Sequence, residues 1–401
     1  MREEHQLKIC IKIIELYKSV VQGKEKKFLS LSAFLSKYYR ENKQMGSRDR
    51  KLFSRVVYDF FRSGNILNEL DIKERLALSG FICENEIFPL LEYILENHSS
   101  LSRESITLPL DEKIDYLKKQ YQSFDLSSLA DIDLELSKGI GKNEFYKSFF
   151  TRPKLWIRLR KAFREEVLNE LRKNNIPFET YSEYPLAVSM ESGISLENLE
   201  TKKKGYFEIQ DISSQLTGKF FRANFYEQWW DCCAGSGGKS LMLTDETPDI
   251  HLLASDARST IIKNLETRFK VSRVKNYKAM EIDISSGFTL PAGYGNFDGI
   301  ISDVPCSGSG TWGRTPEMLL QFDRNLVMEY QKKQKTIINS VLPYLKKGSP
   351  LIYITCSVFK AENEDVVDLL VNKHGMQLAE AKLIKGYGMA ADTLFVARLI
   401  K

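Results

Sequence analysis

The stretch EQWWDCCAGSGGKS, residues 227–240, decides the fold. A short apolar run, Trp229 and Trp230 at its centre, feeds a glycine-rich turn that opens a new helix. Backbone N–H groups in such a turn can approach a ligand closely. The turn is not a P-loop, because GxxxxGK[ST] would require Gly at position 233, where Cys stands, and it is not GxGxxG. Alone it is compatible with a small nucleotide-like ligand or with a tight structural strand–helix turn.

Working outward, short apolar runs (HLLASD 251–256, FDGIISDV 297–304, PLIYIT 350–355) alternate with helical segments (238–245, 259–270, 325–347, 363–373). That alternation predicts an α/β domain over 205–401, a mostly parallel, doubly wound sheet of Rossmann-like type. Ligands of such sheets lie at the carboxyl ends of the strands. Asp256 ends the second run, where an acid accepts ribose hydroxyls, and Asp283 ends AMEIDIS (279–285), where it can accept from an adenine amino group. Singly, each acid is more often a helix cap; in order on successive strand ends, they favour an adenosine-containing ligand. Two further ends carry Asp303-Val304-Pro305-Cys306-Ser307-Gly308-Ser309-Gly310 and Tyr353-Ile354-Thr355-Cys356-Ser357, the latter followed by Glu362-Asn363-Glu364. A lone Cys is usually an inert core residue. Two at strand ends, each beside Ser, point to chemistry.

Upstream the character changes twice. Residues 152–204 read as a small α/β module: KLWIRLR (154–160) alternates Leu155, Ile157 and Leu159 with Trp156, Arg158 and Arg160, and FREEVLNELRKNN (163–175) is helical with Val167, Leu168 and Leu171 inward. IPFETY and YPLAVSME follow as short strands. Arg158, Arg160, Lys161 and Arg164 make one side of the module basic. Residues 1–145 read as all-α. In SRDRKLFSRVVYDFFR (47–62), Leu52, Phe53, Val56, Val57, Phe60 and Phe61 share a stripe, with Ser47 or Asp49 as N-cap.

The 401-residue length calls for two or three domains. Net charge is +5, yet between Gln22 and Gly64 eleven Lys/Arg, among them Lys24, Lys26 and Lys27, face four acids, a local surplus of seven. A basic patch of this kind suits a polyanion or is an ordinary solvated helix surface. Six cysteines are too sparse for a disulfide scaffold, which points to a reducing cytosol. No Cys/His cluster has zinc-ligand spacing, so no metal is expected. No apolar run is long enough to span a membrane, and the acid-bearing start does not read as a secretory signal.

Together these strings resemble the Sun/RsmB family of S-adenosylmethionine-dependent RNA cytosine-C5 methyltransferases. DCCAGSGGKS is similar to D-x-C-A-A-P-G-G-K-T, SDVPCSGSG to D-P-P-C-S-G-x-G, YITCSVFKAENEDVV to Y-x-T-C-S-x-x-x-x-E-N-E-x-V-V, and FEIQDISSQL to an entry segment ending Q-D-x-S-S-Q-L. The likeness runs over about 205–370, more weakly over 152–204. DRKLFSRVVYDFFR resembles the NusB-like RNA-binding domain of bacterial members. Gly235-Ser236 stands for Ala-Pro, Val304 for a Pro, and Asp392-Thr393 for Asp-Gly-Phe; none of these removes a reactive group.

The resemblance implies that Cys356 is the nucleophile that adds to cytosine carbon 6, activating carbon 5 toward an electrophilic methyl. It gives Cys306 the assisting role in proton loss and enzyme release, and Asp303 a hydrogen bond to the cytosine edge that offsets developing charge. Cys233, Ala234, Gly235, Ser236, Gly237, Gly238, Lys239, Asp256, Asp283 and Asp303 would hold S-adenosylmethionine. Lys239 and Arg314 (in GTWGRTPE) would touch the substrate. The implied partner is RNA, small-subunit ribosomal RNA first and tRNA second, with no membrane, a cytoplasmic location and a monomer as default. Three rivals stand beside it. A DNA cytosine methyltransferase lacks the T-C cysteine, a Rossmann oxidoreductase needs GxGxxG, and a silent RNA-binding assembly factor need not retain both cysteines and Asp303.

Overall fold

The computed structural model describes residues 2–23, 29–130, 132–291 and 293–401. Lys24, Lys26 and Lys27 of the basic stretch lie outside the described residues. The chain forms two compact units: 1–133 with 141–152 and 312–324, and 134–140 with 153–311 and 325–401.

The first unit is helical, with helices at Arg2–Val21, Leu31–Glu41, Ser47–Arg62, Ile72–Cys83, Pro89–His98, Leu110–Gln120 and Lys142–Ser148. In the helix Ser47–Arg62 the predicted stripe is the buried face, with Phe53, Val56, Val57, Phe60 and Phe61 in the core. The N-cap is Gly46 rather than Ser47 or Asp49; both fall inside the first turn, where Asp49 faces the positive end of the helix. The basic stretch is not one open patch. Arg62 is buried, donating to the Phe149 and Gly313 carbonyls, and Arg55 pairs with the buried carboxylate of Glu84. Asp59 and Glu84 share Arg152. The segment 312–324, in sequence a piece of the catalytic half, belongs to this helical unit; Glu317 Oε1 accepts from the Leu31 N–H at 3.0 Å.

The second unit holds two sheets. The smaller combines β1 (Leu155–Leu159), β2 (Glu179–Thr180), β3 (Ala187–Met190) and β4 (Phe207–Ile209) in the order β2-β3-β1-β4. The expected edge of this module at 204 therefore cuts it short: FEI, read as the entry to the next domain, pairs antiparallel with β1. Ile157 and Leu159 join Val167, Leu168 and Leu171 in one core, as the alternation implied. The opposite face of β1 is buried too. Trp156 is covered, and Arg158 and Arg160 grip Asp245 at 2.7 and 2.8 Å. Two of the four predicted basic residues are thus spent inside the unit, while Lys161 stays exposed and Arg164 pairs with its neighbour Glu165.

The larger sheet comprises β5 (Gln228–Asp231), β6 (His251–Asp256), β7 (Tyr277–Glu281), β8 (Gly299–Asp303), β9 (Pro350–Thr355), β10 (Gln377–Lys385) and β11 (Thr393–Ile400), in the order β10-β11-β9-β8-β5-β6-β7. β5, β6, β7, β8 and β9 are parallel to one another, and β11 runs antiparallel to β9. The adjacent tryptophans of β5 point to opposite faces, as period two demands. Trp230 packs with the helices Arg324–Val341 and Glu364–His374, and Trp229 with Gly238–Glu246 and Ser259–Val271. The sheet is doubly wound, with helices on both faces as predicted. The order changes direction at β5, so a crevice opens between the ends of β5 and β8.

Candidate active site

That crevice is a cavity of about 600 Å³. Its walls come from four strand ends. They include the turn after β5 (Cys233, Ala234, Gly235, Ser236, Gly238 and Lys239), Asp256 after β6, Asp283 after β7, and Asp303 with Val304 and Pro305 after β8. Tyr330 and Lys333 close it from the helix Arg324–Val341.

Gly235 sits at φ +52°, and a Cβ there would meet nothing within 4 Å, so the backbone faces open cavity. Gly237, also expected to bind ligand, does not line the cavity. It is the left-handed N-cap of the following helix (φ +86°), and a Cβ there would strike Phe269 at 2.7 Å. Ser236, the departure from Pro, is clamped from outside. Arg268 Nη1 donates to its carbonyl and to its hydroxyl, both at 3.0 Å, while Arg268 Nε donates to the buried Glu208 carboxylate of β4 at 2.8 Å. A guanidinium fork thus supplies the stiffness that a ring would give.

The two acids behave differently from each other. Asp256 accepts from the Gly235 N–H at 3.1 Å and from Arg258, whose Nε lies 2.9 Å away and whose side chain is largely exposed. It is already ion-paired, and a ribose would share it with or displace that exposed arginine. Asp283 caps a short turn through one oxygen, Oδ1, which accepts the Ser285 N–H at 2.9 Å and the Ser285 hydroxyl at 2.6 Å. These bonds hold its carboxyl below the usual range.

Lys239 is buried, 7% exposed, and its Nζ lies 3.0 Å from Asp303 Oδ2. It also donates to Ser214 Oγ at 2.7 Å, from the QDISSQL segment. That segment is anchored by Asp211, which caps the Ser213 N–H at 2.8 Å and accepts the Asp392 N–H at 3.0 Å. Val304, the second departure, is a buried core residue whose N–H pairs with Ile354.

Directly beyond Pro305, Cys306 Sγ lies 3.3 Å from Cys356 Sγ, with both side chains partly exposed. The hydrogen bond to Cys356, then burial, pushes the Cys306 thiol well above its ordinary range. Either sulfur can donate in this contact.

Glu362, which stands in the string Glu362-Asn363-Glu364 and was assigned no role from sequence, holds the pair in place. Glu362 is fully buried, and its carboxylate accepts the Ser307 N–H (2.8 Å), Ser307 Oγ (2.6 Å), Ser357 Oγ (2.5 Å) and Gln334 Nε2 (3.2 Å). It ties the loop after β8 to the loop after β9. The Gly310 N–H adds a bond to the Cys356 carbonyl at 2.9 Å. The place of Glu362 in the E-N-E string marked it, but an acid a few residues beyond Cys-Ser does not by itself distinguish a tie from a solvated charge. Arg314 lies in the 312–324 segment, which clusters with the helical unit.

Residues 222–399 match the family model described as 16S rRNA methyltransferase RsmB/F. The chain is 27% identical over 262 residues to a protein of Yersinia enterocolitica named ribosomal RNA small subunit methyltransferase B, covering 62% of this chain and 60% of that one. It is 29% identical over 264 residues to the protein of the same name from Pectobacterium carotovorum, again covering 62% and 60%. The chain thus spans about three-fifths of the length of these curated relatives. Among solved structures, that of PH0851 superposes with a TM-score of 0.71 at 19% identity, covering 97% of both chains. NSun6 from Pyrococcus horikoshii, solved with SFG, superposes with a TM-score of 0.58 at 18% identity, covering 65% of this chain and 94% of that one. These likenesses support the fold.

Proposed function

We propose, from the premise that residues 222–399 belong to the RsmB/F family, that this protein is an RNA cytosine-C5 methyltransferase using S-adenosylmethionine. Its first substrate is small-subunit ribosomal RNA, the class named for its relatives. The single observation that carries the chemistry is the pair of sulfurs 3.3 Å apart, at adjacent strand ends beside the glycine turn.

The cavity suits the cofactor. About 600 Å³ is within the range of small-ligand sites, Gly235 leaves its floor clear, and acids stand where an adenosine would need acceptors. Bound there, S-adenosylmethionine supplies an electrophilic methyl group. The chain's own groups do the rest. The Cys356 thiolate adds to carbon 6 of a cytosine that is single-stranded or drawn out of its stack, and the ring's electrons then concentrate at carbon 5. Asp303, oriented by Lys239, hydrogen-bonds the pyrimidine edge where charge develops. After carbon 5 takes the methyl group, its proton leaves to a base aided by Cys306, the carbon–sulfur bond breaks, and Cys356 departs as thiolate. The 3.3 Å separation puts Cys306 within reach of both the Cys356 sulfur and the carbon it attacks, which supports this division of labour.

The reading is checked by incubating the protein with methyl-labelled S-adenosylmethionine and, separately, small-subunit ribosomal RNA and tRNA, then digesting to nucleosides. Label in 5-methylcytidine from the ribosomal RNA supports it, and label confined to tRNA moves the substrate. Cofactor binding without label in any RNA leaves a silent RNA-binding factor.

A further inference from the structure

The helical unit contains a second cavity, of about 280 Å³, whose walls carry two cations and, among the described residues, no acid. Arg75, 5% exposed, and Lys18 both stand over the ring of Phe60, with Arg75 Cζ 4.7 Å and Lys18 Nζ 5.0 Å from its centre. Gln22, Asn65 and Asn68 add carboxamides, and the 312–324 segment adds an apolar wall. Arg75 reaches only carbonyl oxygens, Asn68 Oδ1 at 2.9 Å and Gly64 O at 2.6 Å, and its Nε–H has no partner. Neither cation has a carboxylate within ion-pair distance among the described residues.

Two like charges facing one partly closed cavity are an expensive arrangement when nothing negative joins them. Burial depresses both cations and Arg75 depresses Lys18 further, while the charges of Glu69 and Glu15, outside ion-pair distance, act the other way on Arg75 and Lys18. The π face of Phe60 offsets part of this cost. It does not supply the acceptors that an ammonium and a guanidinium can use. A tetrahedral oxyanion does, because its several oxygens can take Lys18, the free Arg75 protons and a carboxamide N–H together.

We infer that this cavity is a binding site for a phosphate group, either free or in a nucleic-acid backbone. The site is separate from the sulfur pair, and its free-phosphate form does not depend on the methyltransferase reading; only the backbone form rests on the chain's being an RNA-binding protein.

The test uses the full chain and two variants. Lys18→Ala removes one cation; Lys18→Glu places an acid beside Arg75, so it keeps the fold while filling the anion's place. Thermal unfolding is compared in sodium phosphate and in sodium chloride of equal ionic strength. Separately, binding of a short single-stranded RNA is titrated over a range of salt. A free-phosphate site raises the unfolding midpoint of the wild type in phosphate over chloride and leaves Lys18→Glu unmoved. A backbone site gives a salt slope that Lys18→Ala lowers by about 0.7 to 0.9, the value of one phosphate contact. If the wild type unfolds at the same temperature in both salts and Lys18→Ala leaves the RNA slope unchanged, or if Lys18→Glu responds to phosphate as the wild type does, the site does not exist. Loss of methyl transfer with a retained phosphate response would sink the enzymatic reading alone.

Discussion

Asp231, at the end of β5, shows how much the residue scale can decide. Its side chain is fully buried, one oxygen accepts from Ser240 Oγ at 2.6 Å, and the other has no partner. Burial, and then the nearby charge of Asp303, push its carboxyl up to about 7. The unfolded chain releases this proton near the ordinary aspartate value of 3.8. Between those values the folded state holds a proton that the unfolded state does not. Stability from this group is therefore full below about pH 4 and is lost as pH rises toward 7. Urea midpoints at pH 5 and pH 8 should differ more in the wild type than in Asp231→Asn; equal differences would show that Asp231 is not the group responsible. The same scale shows what sequence can and cannot tell. Asp303, Cys306 and Cys356 were picked out because their reactive types stand at strand ends, and Lys239 through the family resemblance of the glycine turn. The Arg258 pairing of Asp256 was not legible, because a carboxylate's partner is chosen by whatever folds beside it, whereas the cap that Asp283 forms is the alternative the sequence left open.

At the scale of elements, the loops after β8 and β9 form one object joined through Glu362. Glu362→Gln keeps the shape but swaps one acceptor oxygen for an N–H₂ facing donors from Ser307, Ser357 or Gln334. An unmet buried donor costs about 1–3 kcal/mol, so the unfolding temperature should fall. The sulfurs should also lose their register, lowering kcat more than KM. A variant with wild-type kcat and stability would remove Glu362 from the account. β5 and β9 were readable as strands because a strand buried on both faces is a continuous apolar run. β10 was not. QLAEAKLIK, residues 377–385, is mostly exposed and rich in Ala, Glu and Lys, residues that suit helices, and it becomes a strand by pairing along the whole of β11. Its charges suit an edge.

At the scale of the molecule, the second unit binds its small sheet to its large one through charge. Arg158 and Arg160 meet on Asp245, and Arg268 bridges Glu208 of the small sheet to Ser236 of the glycine turn. Asp245→Ala would leave two guanidiniums without their shared acid, one of them buried. Removing one partner of a buried pair costs about 3–5 kcal/mol, so this variant should unfold several degrees lower, which calorimetry would read; an unchanged midpoint would mean that the small sheet is held by packing alone. This tie explains why Arg158 and Arg160 of the basic face did not become surface charge. Trp312–Arg324 teaches the same lesson, since chain order placed it with the catalytic half and packing places it with the helical unit.

The most direct test of the paired sulfurs is to incubate Cys306→Ala with S-adenosylmethionine and substrate RNA, and to resolve the products under denaturing conditions. The account predicts a slow-migrating protein–RNA adduct that accumulates in Cys306→Ala and vanishes when Cys356→Ala is added. An adduct that forms in Cys356→Ala and is lost in Cys306→Ala would reverse the two roles, and no adduct in either variant would contradict covalent catalysis at this site.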